Sequence, residues 1–473
     1  MLAINPLPEA GLMNFVNPNP QHYPNPLMFP VALLANKPMH LADLHLPVRI
    51  GGDMAVLKGM MKVMRARELA APGTVFDQQF ISEKTEGYDE LIACLDETSW
   101  DDILSDGGLT QEQIIEAAGM FMNAKRVITC WAMGLTQNKK AVATIQDVVN
   151  LHLLRRQIGK EGAGLCPVRG HSNVQGDRTM GIWEKVNEKF FAGLEKEFKF
   201  TPPQIDGFST VESIVAMNDG HAKIFFAMGG NFLSAAPDTD VVFDGLKKCR
   251  LTVQVITKLN RTALAVGEQS LILPCLGRSE IDVQAGGEQF VSTESTMLNV
   301  QMSKGIFKPA SEHLRSEPWI VAQLAKATLG ERTTVDWDKM AANYDYIRDA
   351  ISRVVDGCEN YNERIRKPGG FYLPNPSRDG EFTTKTRKAH FTANPLERNV
   401  LEKGQLLLTT IRSHNQFNTT IYDLNDRYRG IEGSRRVIFL NPDNINELGL
   451  KTGQVVNLTS HFEGVERYAY RFI

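Results

Sequence analysis

The sequence lacks several motifs that would assign it to a well-defined class. None of its six cysteines forms a Cys-x-x-Cys pair, so zinc-ribbon and iron–sulfur spacings are absent from the chain. It has no G-x-x-x-x-G-K-[ST] motif of P-loop proteins and no G-x-S-x-G motif of serine hydrolases. Six cysteines dispersed through 473 residues are typical of a reducing compartment rather than of a disulfide scaffold.

The sequence also lacks an excess of charge and a long apolar run. Its 52 basic and 55 acidic residues give a net charge of −3, which predicts no attraction to nucleic acid or anionic lipid. No apolar run reaches the ~18–20 residues that a membrane span needs. The opening MLAINPLPEAGLMNF has no basic start typical of a signal peptide. We therefore expect a cytoplasmic protein that binds neither nucleic acid nor membrane.

Apolar runs of strand length alternate with amphipathic runs of helix length, which predicts βαβ units and a parallel sheet. The stretch after Thr110 predicts a helix that opens with a capping box, because Gln113 follows three residues later. The predicted strands are RVITCW, KIFFAMGG, LTVQVIT and SLILP.

Two of these strands end alike. ITCWAMG (128–134) and IFFAMGG (224–230) are apolar and close on Ala-Met-Gly. Ligands of doubly wound sheets bind where strands end, and glycine there lets a phosphate approach the backbone. The pattern indicates either two related nucleotide-binding halves or an ending common to many α/β proteins.

The last third of the chain has a different composition. Residues 370–399 are rich in proline, glycine and charge, which is typical of a linker or a long surface excursion. QLLLTTI, RRVIFLNP and QVVNLTS then predict strands, and PDNINELG predicts one short helix. This pattern favours a small barrel.

The stretch GLCPVRGHSNVQGDRTMG (164–181) has neither a helical nor a strand period. Its arginines, its histidine and its many backbone amides supply donors for phosphates, or for a carboxylate bound by Arg169. A solvated crossover whose glycines make turns is the alternative interpretation. Cys166 and His171 lack the two further ligands that a zinc site requires.

This stretch, extended to GAGLCPVRGHSNVQGDRTMG, resembles the G-x-x-x-N-P-[LV]-R-G-x-N-N-V-Q-G segment of molybdopterin oxidoreductases, closest to the branch of formate dehydrogenase-like alpha subunits. Further stretches agree with that family in the same order and extend the resemblance over nearly the whole chain. They are INPLPEAGL, IGGDMAVLKGMM, WAMGLTQ, AMGGNFLSAAPDTD, LNRTALAVGEQSLILPCLGRSEID and TTIRSHNQFNTTIYDLNDRYRG.

The resemblance implies an α/β fold with two related doubly wound, Rossmann-like domains and a C-terminal β-barrel of the double-psi type. We place the first domain at 1–170, the second at 171–369, a linker at 370–399 and the barrel at 400–473. The barrel of this family covers the cofactor that the two α/β domains bind.

The implied cofactor is molybdenum or tungsten carried by two molybdopterin guanine dinucleotides. By position, Asn5 and Asp53 match nucleoside contacts of the first half, and Gly134 and Gln137 match residues that line its phosphates. The matching residues of the second half are Gly229, Gly230, Asn231 and Gln254. The barrel residues expected to reach the pterins are Arg412, His414, Gln416, Asn418 and Thr419.

The resemblance also implies a two-electron oxidation of a small substrate such as formate, with an electron acceptor that the sequence does not identify. Arg169 matches the arginine that faces the metal and would orient a small carboxylate. His171 stands where formate dehydrogenases carry glutamine, and we expect both residues to be catalytic.

No residue of this chain matches the family's metal ligand, which lies N-terminal to INPL in relatives, so we assign none. An iron–sulfur cluster is expected only in that N-terminal part. We accordingly expect the chain to be a fragment, truncated at both ends. The alternatives are an inactive or binding-only fragment that retains pterin contacts, and a nucleotide-binding scaffold without metal.

Overall fold

In a computed structural model, the protein is described at residues 1–13, 15, 30 and 40–473. The helices of eight residues or more are α1 Asp53–Ala70, α2 Tyr88–Glu97, α3 Trp100–Gly107, α4 Gln111–Asn123, α5 Ala141–Leu154, α6 Glu188–Phe198, α7 Thr210–Asn218, α8 Thr239–Lys247, α9 Glu317–Leu329 and α10 Asp345–Val354. Shorter helices span Ala10–Met13, Gln78–Lys84, Met133–Thr136, Val174–Thr179, Phe232–Ala235, Trp337–Ala342, Tyr361–Ile365 and Pro442–Glu447.

The strands form several small sheets rather than one large one. They are β1 Leu2–Ile4, β2 Leu44–Leu46, β3 Thr85–Glu86, β4 Ile128–Trp131, β5 Gly164–Pro167, β6 Ile224–Met228, β7 Leu251–Ile256, β8 Gln269–Pro274, β9 Val283–Gln284, β10 Gly287–Glu288, β11 Val291–Glu294, β12 Asn299–Ser303, β13 Phe371–Tyr372, β14 Ala389–His390, β15 Gln416–Phe417, β16 Thr420–Ile421, β17 Val456–Phe462 and β18 Val465–Phe472.

The strands on which the fold prediction rests are parallel. β1 pairs with β2, β4 with β5, and β7 lies between β6 and β8, all in parallel register. The helix predicted after Thr110 is confirmed as Gln111–Asn123, and both hydrogen bonds of its capping box are present. The alternation of apolar and amphipathic runs was therefore sufficient to predict βαβ units.

The first core forms around α1, whose apolar residues contact α3, α4 and α5. One buried charged pair lies within this core: Lys58 of α1 and Asp147 of α5 have no exposed side-chain surface, and Lys58 Nζ lies 3.4 Å from Asp147 Oδ2. His152, also on α5, is fully buried, and burial lowers its pKa to about 4. Its Nε2 lies 2.6 Å from the Thr129 hydroxyl of β4, which ties the helix to the sheet.

Residues 370–399 pack against the first core, although their composition predicted a linker or surface excursion. Phe382, Ala389 and Phe391 belong to that core, and β14 pairs in parallel with β3. The Asn394 amide donates to Asp147 Oδ1 at 3.3 Å. A few apolar residues anchor this segment in the core. Because polar residues outnumber them, the average composition of the segment does not indicate that it is buried. The proposed domain boundaries remain predictions.

The C-terminal residues contain two antiparallel hairpins, β15–β16 and β17–β18, and the predicted short helix at Pro442–Glu447. The strand predictions for QLLLTTI and RRVIFLNP were wrong, since neither stretch forms a strand. QVVNLTS was correct in part, since β17 begins at its second valine. Over residues 400–473, which the structure describes in full, the strand pairing closes no barrel.

Candidate functional site

The carboxyl ends of β4 and β5 lie side by side. Trp131 pairs with Pro167 in the parallel register, and the amide of Val168 donates to the carbonyl of Trp131 at 2.7 Å. Because parallel strands share one carboxyl edge, Gly134 and Arg169 follow their strands at the same edge of this sheet. The ends of β6 and β7 repeat the arrangement, with the Gly229 amide donating to Val255 at 2.7 Å.

The stretch at 164–181 is less irregular than its sequence suggests. It begins as β5, and Val174–Thr179 forms a short helix, so only residues 168–173 and the turn at 180–181 are irregular. Its far end is fixed by Asn173, which has a positive φ of 68° and accepts a hydrogen bond from the Glu294 amide at 2.9 Å. Arg169 is exposed, and its Nη2 lies 3.5 Å from Gln175 Oε1. The arginine is therefore largely free to contact another group.

The β15–β16 hairpin contacts this loop at His171. The His171 Nε2 lies 3.3 Å from the Asn418 amide nitrogen, and the imidazole packs edge-on against Phe417 with ring centres 5.9 Å apart. The structure thus brings together His171 and Asn418, two predicted site residues 247 positions apart.

The same hairpin contacts the end of β6. The Asn231 amide donates to the Thr419 hydroxyl at 3.3 Å, while Asn231 Oδ1 accepts from the Thr262 hydroxyl at 3.0 Å. Behind this pair, Gln254 is buried on β7 and donates to the Thr262 carbonyl at 3.0 Å. Gln254 therefore holds Thr262, which in turn bonds Asn231. A direct contact between Gln254 and a ligand stays a prediction.

The end of β6 leaves open space for a ligand. Gly229 and Gly230 have positive φ angles of 67° and 74°, and a β-carbon built on either meets nothing within 4 Å. The Gly230 carbonyl accepts from Asn260 at 2.7 Å, which fixes the turn. The Oε1 of Gln254 is buried and has no hydrogen-bond partner in the described part of the chain.

His414 lies in a cluster of charged residues, which Arg412 contacts through its backbone carbonyl. His414 Nδ1 lies 3.0 Å from Asp426, and Arg429 joins Asp426 at 3.1 Å and Glu9 at 2.6 Å. Burial would raise the pKa of Asp426, but hydrogen bonds from His414 and the charges of His414 and Arg429 outweigh it, so the pKa is lowered. The Arg412 carbonyl accepts from Arg429 at 2.7 Å, and the Arg412 residue itself is exposed.

The predicted residues of the first half lie at other strand ends. Asn5 follows β1, its amide donates to Leu7 at 2.8 Å, and its carbonyl lies 2.9 Å from His45 Nε2. Gly134 and Gln137 lie in and just after the short helix that follows β4, and both are exposed. In the regions that the structure describes, no hydrogen bond joins these three residues to the group around Asn231.

Asp53 opens α1 and is partly exposed, and burial raises its pKa to about 6. A carboxyl whose pKa is higher in the folded than in the unfolded chain stabilises the fold while it is protonated. For Asp53 this contribution is complete below the unfolded pKa of about 4 and is lost as pH rises through the folded pKa of about 6. The quantity to compare is the unfolding free energy of Asp53→Asn minus that of the parent. We expect this difference to be about 1–3 kcal/mol larger at pH 7.5 than at pH 3.5, because the parent has lost the contribution of Asp53 at the higher pH. Urea unfolding across this pH range measures the difference.

His152 titrates in the same range, but it is common to both proteins and cancels in the comparison. A difference in unfolding free energy between parent and D53N that stays constant from pH 3.5 to 7.5 would contradict the raised pKa of Asp53.

Residue-by-residue reasoning missed several residues that organise this site: Thr262, Asn260, Asp426, Arg429, Glu9 and Arg435. Arg435, which lies outside every stretch that resembles the family, donates to Gln416 Oε1, and Gln416 in turn donates to the Asn418 carbonyl at 2.6 Å. The other five lie inside those stretches, but spacing alone does not show which residues meet. Only their pairing across long separations identifies them.

A cleft of about 980 Å³ opens at the other edge of the β4–β5 sheet. It is lined by Lys125, Arg126, Arg155 and Lys160 and by residues 73–78. Arg155 donates to the carbonyls of Phe121 and Ala124 and so caps the C-terminal end of α4. It also donates to the carbonyl of Val75, which joins that helix end to the loop at 73–78. None of the predicted site residues lines this cleft.

In the described part of the chain, no three His, Cys, Asp or Glu side chains are grouped as metal ligands would be. Among the same residues, no helix has both the length and the apolar character that a membrane span requires.

Comparison with known proteins identifies the fold and the family. Residues 4–274 match the family described as Molybdopterin oxidoreductase, and residues 406–471 match the Molydopterin dinucleotide binding domain. The chain therefore belongs to the molybdopterin oxidoreductase family. The second match includes the β15–β16 hairpin and the residues from Arg412 to Thr419, which supports a molybdopterin cofactor for this family member.

The curated relatives are longer than this chain. An uncharacterized oxidoreductase of Mycobacterium tuberculosis is 47% identical over 463 residues, covering 98% of the chain and 58% of the relative. Protein YdeP of Escherichia coli is 42% identical, over 97% of the chain and 60% of its own length. The F420-dependent formate dehydrogenase subunit alpha of Methanocaldococcus jannaschii is 25% identical, over 89% and 61%.

A solved structure supports the same fold. The acetylene hydratase of Pelobacter acetylenicus superposes with a TM-score of 0.60 at 16% sequence identity. The match covers 93% of this chain and 65% of the hydratase chain. At this level of identity the likeness shows that the two chains share a mixed α/β fold.

Proposed function

We propose that this protein is a bis(molybdopterin guanine dinucleotide) oxidoreductase, with molybdenum or tungsten, that removes two electrons from a small carboxylate such as formate. One observation carries the proposal. The β15–β16 hairpin contacts both candidate edges, through His171–Asn418 beside the end of β5 and through Asn231–Thr419 at the end of β6. The hairpin belongs to the region that matches a dinucleotide-binding domain.

The residues at these edges fit a large anionic group. Gly229 and Gly230 leave the backbone accessible to phosphates at the end of β6. Gln254 Oε1, a buried acceptor without a partner in the described regions, suits an N–H or O–H group of the nucleotide and not its phosphates. The proposed contacts of one dinucleotide are Gly229, Gly230, Asn231 and, through Thr262, Gln254. Those of the other are Asn5, Asp53, Gly134 and Gln137. We propose that Arg412, His414, Gln416, Asn418 and Thr419 complete a barrel-like cover over the pterins.

The cofactor, when bound, would supply the two-electron redox chemistry. The chain's own contribution is to bind and orient the substrate. The Arg169 guanidinium is exposed next to the end of β5 and would pair with a carboxylate through two parallel hydrogen bonds. His171, fixed between Asn418 and Phe417, would present its ring beside that carboxylate and exclude water from one side of it.

Cofactor content tests the proposal directly. We expect the chain, made in a host that synthesises the cofactor, to yield about two guanine nucleotides per chain and one metal ion after denaturation. Asn231→Ala should reduce the nucleotide content, because it removes both the Thr419 contact and the Thr262 contact at one edge. Chromatography of the released nucleotides and elemental analysis measure the two quantities.

Asn218→Ala is the matched control. Asn218 is the last residue of α7, and its amide donates to the carbonyls of Ile214 in α7 and Val241 in α8 at 3.1 and 3.0 Å, not to the hairpin, so nucleotide content should not change. A parent protein without metal or guanine nucleotide would contradict the proposal. Bound nucleotide without turnover of formate would favour the binding-only alternative.

A further inference from the structure

Two cysteines face each other across β4 and β5, a feature that the proposed function does not use. Cys130 and Cys166 are direct partners in the parallel register, so their side chains project from the same face of the sheet. Cys130 is exposed and Cys166 is partly exposed. The opposite face of the same strands, with Trp131 and Leu165, packs against the first core.

The spacing of the strands permits a bond between the two sulfurs. Neighbouring strands lie about 4.7–4.9 Å apart, within the range of about 4.4–6.8 Å between the Cα atoms of disulfide-bonded cysteines. Directly paired β-carbons on flat parallel strands lie farther apart than a relaxed disulfide prefers, so closure requires a small approach of the strands. Strained or exposed disulfides are the readily reduced ones.

We propose that Cys130 and Cys166 form a redox-active dithiol that closes to a disulfide by exchange with a small-molecule disulfide. The Cys130 thiolate attacks one sulfur of the external disulfide, forming a mixed disulfide and releasing one thiol. The Cys166 thiolate then attacks the Cys130 sulfur and releases the second thiol. The protein gains one S–S bond and loses two thiol hydrogens, while the external disulfide is reduced to two thiols.

The surroundings favour this order of attack and this pair. Burial and the adjacent Cys130 both raise the pKa of Cys166, which makes Cys166 the later, intramolecular nucleophile. Cys249, Cys275 and Cys358 are buried in other cores. The Cys94 thiol is occupied by hydrogen bonds, since it donates to the Asn394 carbonyl at 3.3 Å and lies 3.7 Å from Lys58 Nζ.

A closed bond would have a local effect on the edge that carries Arg169. Cys166 lies three residues before Arg169 and Cys130 four residues before Gly134. A disulfide would therefore fix the ends of β4 and β5 to each other. The redox state of this pair would then influence the geometry of that edge, whichever ligand it binds.

Exchange with oxidised glutathione tests the proposal. The full chain is equilibrated with mixtures of oxidised and reduced glutathione, quenched with an alkylating reagent, and digested for mass spectrometry. We expect Cys130 and Cys166 to lose alkylation together and to appear in one linked peptide, reversibly. In Cys166→Ser, Cys130 should instead accumulate as a stable glutathione adduct, because no second thiol resolves it.

Two further variants complete the test. Cys130→Ser should leave Cys166 alkylated after the same exposure, since the first nucleophile is gone, whereas Cys94→Ser should leave the linked peptide unchanged. The proposal is overturned if parent Cys130 stays as a glutathione adduct without a link to Cys166. It is equally overturned if a different cysteine pair closes first. None of these measurements depends on cofactor or turnover, so their failure is distinct from failure of the proposed function.

Discussion

Replacing Lys58 by methionine is expected to lower the free energy of unfolding by about 3–5 kcal/mol, because it leaves Asp147 as an unpaired charge in the first core. Both side chains are completely buried, and Lys58 Nζ lies 3.4 Å from Asp147 Oδ2. Burial already raises the pKa of Asp147 despite the charge of Lys58 and the amides of Asn394 and Asn150. Without Lys58, the carboxyl would have to take up a proton or admit water. Urea unfolding followed by circular dichroism measures the loss.

The second substitution Asp147→Asn should return part of the stability of K58M, since it removes the charge that was left unpaired. A double variant no more stable than K58M would show that the effect comes from packing of the lysine chain. Lys367→Met is the matched control, because it breaks an exposed pair with Glu363 at 2.7 Å. Exposed pairs contribute about 0–1 kcal/mol, so this variant should be close to the parent in stability.

The same buried pair shows where prediction from sequence ends. The capping box at Thr110 and Gln113 follows from two residues three positions apart, and the helix after it follows from amphipathic periodicity. These are local signals. Lys58 pairs with Asp147 from another helix, and Asn394 of the 370–399 segment bonds Asp147 across 247 positions, so both contacts depend on packing between distant segments. A lysine in a helical pattern is ordinarily a surface residue, so nothing in the sequence distinguishes this one.

The candidate site divides in the same way. The Ala-Met-Gly ends predicted two strand ends open to a ligand, and the parallel pairing of β4 with β5 and of β6 with β7 places those ends as expected. The resemblance to the family supplied His171, Asn231, Asn418 and Thr419. What neither supplied is that His171 meets Asn418 while Asn231 meets Thr419, so that one short hairpin bridges both edges. Such contacts depend on how the C-terminal region packs, which local patterns do not encode.

Replacing Arg169 by alanine is expected to reduce kcat/KM for formate by about 10²–10³-fold, on the proposed function, while cofactor content stays at the parent level. The side chain is exposed and makes one long contact, to Gln175, so its loss should change stability by less than about 0.5 kcal/mol. Arg169→Lys keeps the charge but loses the two parallel hydrogen bonds to a carboxylate, and should fall between parent and alanine variant. Steady-state kinetics with an artificial electron acceptor, together with nucleotide analysis, measure both quantities.

Arg178→Ala is the matched control for this prediction, because Arg178 is also exposed and lies in the short helix Val174–Thr179 that follows the loop of Arg169. Its guanidinium packs over Trp183 and lies 3.7 Å from Glu184, away from the ends of β4 and β5, so turnover should be unchanged. If R169A loses bound nucleotide along with turnover, then Arg169 positions the cofactor instead of the substrate. If R169A turns over formate at the parent rate, the carboxylate is bound elsewhere. A role for Arg169 in binding a small carboxylate therefore requires that R169A lose turnover and keep the nucleotide content of the parent.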